Sequence, residues 1–180
     1  PLFHPFVDQV LDDAERRGIR RLCFLARDGR LLHQIAEARV KHRRAAAELR
    51  YLDLSRQSTY LASVEQVVPE QIDWAFRAGD AGLTLEGLAK RLGVKAADFA
   101  ALSTPPAPEQ GLDAETLERV RRFVCSDIEI AEKILKSAAE ARTRLLGYLE
   151  QEGVEADSSS PVGLVDVGWQ GSIQDCLSRI

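Results

Sequence analysis

Apolar positions recur along this chain with two different periods, and the places where the period changes divide it into elements. From 3 to 17, Phe3, Phe6, Val7, Val10, Leu11 and Ala14 fall at helical spacing while Asp8, Asp12, Asp13, Glu15, Arg16 and Arg17 fill the opposite face. That pattern predicts an amphipathic helix ended by Gly18. Ile19 to Ala26 is a short, increasingly apolar run that stops at Arg27-Asp28-Gly29, and Leu31, Leu32, Ile35 and Ala36 then resume the helical period. The expectation is strand, tight loop, helix. Leu49 to Ser55 is a second strand candidate, with Arg56-Gln57-Ser58 where a helix can start.

Between about 60 and 155 no segment has a convincing strand signature. Segments 69–79, 84–101 and 113–125 are predicted helical, and Ser103 to Gly111 is a Pro-rich loop. The clearest stripe, Ile128, Ala131, Ile134 or Leu135, Ala138, Ala141, Leu145 and Leu149, predicts a helix over about 127–152. Ser126 or Asp127 can cap it, and Glu129 suits its first turn. A polar connector over 153–160 precedes a third buried strand, Pro161 to Val167, and Gly168-Trp169-Gln170-Gly171-Ser172 leads into a last helix.

This order predicts an α/β fold with a short parallel, Rossmann-like three-layer core made by 1–58 and 161–180. A large all-helical, cap-like insertion over 59–160 completes it. Three strands are fewer than the five or six of a typical sheet. The expectation is therefore a domain excised from a larger enzyme, or one completed by a partner.

Composition narrows the function classes. The 180 residues carry 24 Lys and Arg against 28 Asp and Glu, a net charge of −4, and that balance argues against a general polyanion binder. Positive charge does gather early, at Arg16, Arg17, Arg20, Arg21, Lys41, His42, Arg43 and Arg44. No apolar run approaches the ~18 residues of a membrane span and no leader pattern opens the chain, so the expectation is a cytoplasmic protein with no membrane partner. Cys23, Cys125 and Cys176 lack metal-ligand spacing and fit reduced thiols.

Leu83 to Val94 is similar to the first helix and turn of a DNA-binding helix-turn-helix, with Thr84 as cap and Gly93 at the turn. The segment that should then read bases, Lys95 to Leu102, offers one Lys, no Arg, Asn or Gln, and an Asp. Such a helix supplies few contacts, so helical packing is the expected role and nucleic acid is not an expected partner.

In parallel α/β sheets, ligands bind beyond the carboxyl ends of the strands, where the strand order reverses. The three predicted ends carry Arg27-Asp28-Gly29, Ser55-Arg56, and Asp166 with Gly168-Trp169-Gln170-Gly171-Ser172. With strand order 2-1-3, Asp28 and Asp166 would flank the switch point as paired carboxylates. They can hold Mg²⁺ or divide acid and base roles as catalytic residues. Arg27 and Arg56 can clamp a phosphate or carboxylate, Ser55, Ser58 and Ser172 add hydroxyls, and the helix starts after Gly29 and Gly171 offer free backbone N–H groups. His33 lies about one turn beyond the first loop and is expected on a helix surface.

Phe24-Leu-Ala-Arg-Asp-Gly-Arg-Leu-Leu32, Tyr51-Leu-Asp-Leu-Ser-Arg56 and Val165-Asp-Val-Gly-Trp-Gln-Gly-Ser172-Ile-Gln174 together resemble the FLxRDGxxL, YxxxSR and DxGWxGxxQ pattern. That pattern occurs after the phosphatase module in a group of predicted haloacid-dehalogenase (HAD)-like hydrolases, often of bacterial surface-polysaccharide metabolism. The opening Pro1 to Phe6 is similar to the segment that introduces that region. The resemblance implies a HAD-like hydrolase-associated domain whose partners are a phosphorylated small molecule or nucleotide sugar and the other domains of a larger enzyme. It departs from the phosphatase pattern: Gly29 and Arg30 come after Asp28, so the second Asp of Asp-x-Asp is absent, and neither an activating Lys nor an Asp-Asp metal pair follows in order. A weaker similarity links Asp166 and Gly171-Ser172 to the diphosphate loop of type I phosphoribosyltransferases, without its second acid or its Thr. The rival class is a noncatalytic interaction module.

Overall fold

The computed structural model describes residues 3–26, 28–43, 47–77, 82–154, 161–167 and 171–180. The chain forms two compact units, one of residues 1–56 and 146–178 and the other of residues 57–145 with 179 and 180. The 24-residue helix that spans Ile128–Gln151 runs from the second unit into the first.

The first unit begins with α1 (Phe3–Arg16), which buries Val7, Leu11 and Ala14, one residue per turn on a single face. It closes on a hydrogen-bonded C-terminal turn in which Gly18 N–H donates to Glu15 O at 3.1 Å and Ile19 N–H to Ala14 O at 2.8 Å. β1 (Arg21–Leu25) comes next, then α2 (Gly29–Arg43) and β2 (Glu48–Leu52). The remaining strand is β3 (Val162–Val165). The sheet is parallel with order β2-β1-β3, the order required for a reversal point beside β1. β1 is central, and its last four residues are buried. The near-continuous apolar run Leu22-Cys23-Phe24-Leu25 is the pattern that a parallel strand covered on both faces requires. Val7, Leu11, Ala14, Leu22, Phe24, Leu32, Ala36 and Val165 form one core.

Each strand is shorter than its apolar run predicts. The run Leu49 to Ser55 contributes β2 only as far as Leu52, whose carbonyl accepts the Ala26 N–H at 3.0 Å, and Leu54 is buried beyond the strand. A hydrophobic run records burial, and burial outlasts the ladder. The run Pro161 to Val167 likewise pairs only over Val162–Val165.

The second unit is all-helical among its described residues apart from one isolated bridge, Thr84 to Gly111. Short helices α3 (Arg56–Tyr60) and α4 (Pro69–Ile72) lead to α5 (Leu85–Leu92), α6 (Ala114–Ser126) and α7 (Ile128–Gln151). The last helix, α8 (Ser172–Leu177), belongs to the first unit. Thr84, Asp113 and Asp127 cap α5, α6 and α7 through side-chain oxygens that accept the N–H groups of Gly87, Thr116 and Ile130. Leu85, Leu88, Leu92, Phe99, Val120, Val124, Ile130 and Ile134 are buried together.

Three helical expectations change here. The helix expected over 69–79 is α4 continued by a 3₁₀ turn, Asp73–Phe76. The helix expected over 84–101 stops at Leu92, and beyond Gly93 the chain makes a single 3₁₀ turn, Ala96–Phe99. Asp98 accounts for it by accepting the Lys95 N–H and the Lys133 ammonium, each at 2.8 Å, a local alternative to continued helix. On α7 the buried stripe is Ile130, Ile134, Ala138, Leu145 and Leu149, while Ile128 is 74% exposed. Among the described residues no helix is long and apolar enough to cross a membrane.

Candidate functional site

Leu25 pairs with Leu52 in β1–β2, and Phe24 with Val165 in β1–β3. The three strands therefore end level with one another, and the segments that leave them emerge at one edge of the sheet. After β1, Asp28 is exposed in the turn and Gly29 is buried as the first residue of α2. A Cβ on Gly29 would lie 3.0 Å from the Phe24 carbonyl carbon, so this close approach of helix to strand requires glycine. After β2, Leu54 is buried and anchors a loop whose Ser55 and Arg56 are exposed. After β3, Asp166 is half-buried; Gly171 sits at φ +58° and Ser172 opens α8. Arg27, Gly168, Trp169 and Gln170 lie outside the described residues.

Two residues at this edge lie outside the three motifs. Tyr148 of α7 accepts a hydrogen bond from the Asp53 N–H to its phenolic oxygen, at 2.8 Å. Burial pushes its phenol above the usual range, against the Asp53 hydrogen bond, so at neutral pH it keeps a proton that it can donate. Tyr148 thus fixes the residue two before Ser55. No local signal marks it, because its partner is a backbone amide 95 residues away.

His33 is the other. It is expected on a helix surface, yet its side chain is only 18% exposed. Its ring meets Phe24 edge-on with centroids 5.5 Å apart and lies 6.3 Å from Tyr51. Its Nδ1 stands 3.8 Å from a Glu37 carboxylate oxygen. The imidazole is part of the packing that joins α2 to β1 and β2.

The opposite ends of the strands are closed by charge pairing. Arg21 donates through Nε and Nη2 to Glu48 Oε2 at 2.9 and 2.8 Å, and through Nη1 to the Gly153 carbonyl. Arg50 holds the other Glu48 oxygen at 2.7 Å. The Arg21 and Arg50 hydrogen bonds hold the Glu48 carboxyl below its ordinary range. Arg21, alone of the early arginines in this contact, thus ties β1, β2 and Gly153 beyond α7 together.

Among the described residues no group of three or more His, Cys, Asp or Glu side chains could hold a metal ion. The donors at the strand ends are the two carboxylates Asp28 and Asp166. Hard oxygen donors in that number suit Mg²⁺, which keeps several waters and shares its coordination with a substrate phosphate. Neither a protein-family model nor a curated protein matches this sequence.

Proposed function

We infer that the strand-end edge of the first unit binds a phosphorylated small molecule or a nucleotide sugar, with Mg²⁺ as its cation. The observation that carries this reading is the strand order β2-β1-β3, which puts the loops of Asp28 and Asp166 on either side of the reversal point. Ligands of parallel α/β sheets lie at such points because helix starts and loop side chains converge there. In this reading Arg27 and Arg56 clamp the anion, Asp28 and Asp166 take the cation or a ligand hydroxyl, and Ser55 and Ser172 donate hydroxyl hydrogen bonds. To Gly168, Trp169, Gln170 and Gly171 the reading assigns, from the sequence, the phosphate-cradling role. The N-terminal amides of the 15-residue α2 add donors beside Gly29.

The resemblance to the region that comes after the phosphatase module of HAD-like hydrolases supports a cytoplasmic role in bacterial polysaccharide metabolism. When bound, Mg²⁺ would neutralise phosphate charge and orient it. Asp28 lacks the acid/base partner two residues on, so the reading places ligand binding first and any hydrolysis after it.

A thermal-shift and calorimetric screen of the full chain with Mg²⁺, sugar phosphates, nucleotide sugars and phosphoribosyl diphosphate tests it. A ligand present at a hundredfold excess over its Kd stabilises the fold by about 2.7 kcal/mol. Asp28→Asn, Arg56→Ala and Asp166→Asn should each reduce that gain, read for each variant against its own unliganded melting point. If no ligand stabilises the protein, or if the three variants bind as the native chain does, the reading fails.

A further inference from the structure

We propose that the β3 edge of the sheet is a self-association surface, on which a second copy of this chain pairs its own β3 antiparallel across a twofold axis. Among the described residues β1 is the only strand that pairs with β3, so β3 ends the sheet and turns one row of backbone N–H and C=O groups outward. Only another extended strand matches that row.

The two edges of the sheet are built differently. β2 carries Glu48 and Arg50, whose side chains are 41% and 47% exposed and paired with each other. Charges on an outer strand are a common protection against edge-to-edge pairing. β3 is Val162-Gly163-Leu164-Val165, with no charge and no Pro inside the strand; Pro161 and Asp166 stand only at its two ends. Gly163 lets β3 pack closely on its neighbour: a Cβ there would come 2.6 Å from Leu22 Cδ2 and 3.2 Å from Ile19 Cγ2.

Beside the edge a groove of about 280 Å³ runs between α1 and β3, lined by Phe6, Val10, Asp13, Arg17, Gly163 and Val165 among others. Phe6 of that lining leaves 41% of its surface exposed. The charges on this flank are what single out a second copy as the occupant. Asp13, which accepts a hydrogen bond from Arg16, and Arg17 lie one helical turn apart on the groove. A twofold axis perpendicular to the sheet sets the two α1 helices antiparallel. Asp13 then faces Arg17 of the other copy, and Arg17 faces its Asp13. Such an isologous contact is self-complementary by symmetry and closes at two subunits. Joining two three-stranded sheets gives six strands, about the size of a typical sheet.

Sedimentation equilibrium and hydrogen exchange of the full chain test this. The native protein should sediment as a dimer, and the amides of 162–165 should lose protection on dilution. Arg17→Glu should halve the mass, and Asp13→Lys combined with Arg17→Glu should restore it, with the helical circular dichroism intact in both variants. A monomer at every concentration, or a dimer in which the exchange of 162–165 ignores dilution, would overturn the proposal.

Discussion

Tyr148 and Asp53 are joined by a hydrogen bond of 2.8 Å in which the phenolic oxygen takes the amide proton of the residue just after β2. The Asp53 N–H points away from β1, whose adjoining Ala26 N–H donates to Leu52 O at 3.0 Å, so the bond ties α7 to the outer side of the chain where β2 gives way to its loop. Tyr148→Phe removes the acceptor while keeping the ring. Asp53 is exposed, so water can replace the phenol, and the cost is about 0.5–1 kcal/mol, the lower part of the range for a neutral hydrogen bond. Urea unfolding should show that loss, and the Asp53 amide should exchange faster than in the native chain. An unchanged Asp53 exchange rate would mean that the bond does not order the loop.

The strand ends were legible in the sequence because an apolar run of period-free residues breaks there into Asp, Arg, Ser and Gly. The order β2-β1-β3 was legible only as a condition, since nothing in a run of apolar residues says which neighbour it pairs with. Caps are short-range, and Thr84, Asp113 and Asp127 act within three residues of themselves. The failures are longer-range or competitive. Tyr148 has the look of any half-buried helical aromatic, and Lys95 to Leu102 has good helix formers whose first turn is captured by Asp98. Ile128 has the right chemistry for the α7 stripe, but it is the first residue of the helix and lies outside the buried line that begins at Ile130.

Glu48 gives the first unit an acid-sensitive contact. Arg21, and then Arg50, hold its carboxyl below its ordinary value of 4.5. A carboxyl with a depressed pKa in the folded state stabilises the fold above its unfolded pKa, and that contribution is lost as pH falls through the folded value. The stability difference between the native chain and Glu48→Gln should therefore be largest near neutral pH and shrink on acidification through the carboxylate range. Denaturant midpoints measured along a pH series check it; a difference that stays constant with pH would assign the contact to geometry and not to charge.

Cys23 gives the opposite sign at the alkaline end. Burial in β1 pushes its thiol from 9.0 to about 11, with Arg21 and Arg50 pulling weakly the other way. Between those values the unfolded chain ionises this thiol and the folded chain does not, so stability falls as pH rises from 9 to about 11. Cys23→Ala should lose that alkaline slope while costing some packing. In native protein at neutral pH a disulfide reagent should reach the half-buried Cys125 before Cys23 or Cys176, both of which are buried. Rapid labelling of Cys23 in folded protein would contradict its placement in the central strand.

Gly93 separates two costs that usually arrive together. It caps α5 at φ +73°, where an added Cβ would lie 2.7 Å from Ser137 Cβ and 2.9 Å from Leu61 Cδ2, and its carbonyl accepts the Ser137 hydroxyl at 2.7 Å. Gly93→Ala therefore combines a left-handed backbone with a clash against α7, and a loss of roughly 1–3 kcal/mol is expected. Gly18 has a similar φ of +67° with nothing within 4 Å of its added Cβ, so Gly18→Ala carries the backbone cost alone, about 1 kcal/mol. At roughly 2–4 °C of melting temperature per kcal/mol for a chain of this size, calorimetry resolves the two. If Gly93→Ala costs no more than Gly18→Ala, Ser137 and Leu61 yield to the methyl group, and the packing of α5 against α7 is looser than the Ser137 hydrogen bond implies. Pairing Gly93→Ala with Ser137→Gly sharpens the test: Gly93→Ala should cost less in the Ser137→Gly background than in the native chain, because the contact with Ser137 is gone while the backbone cost and the contact with Leu61 stay.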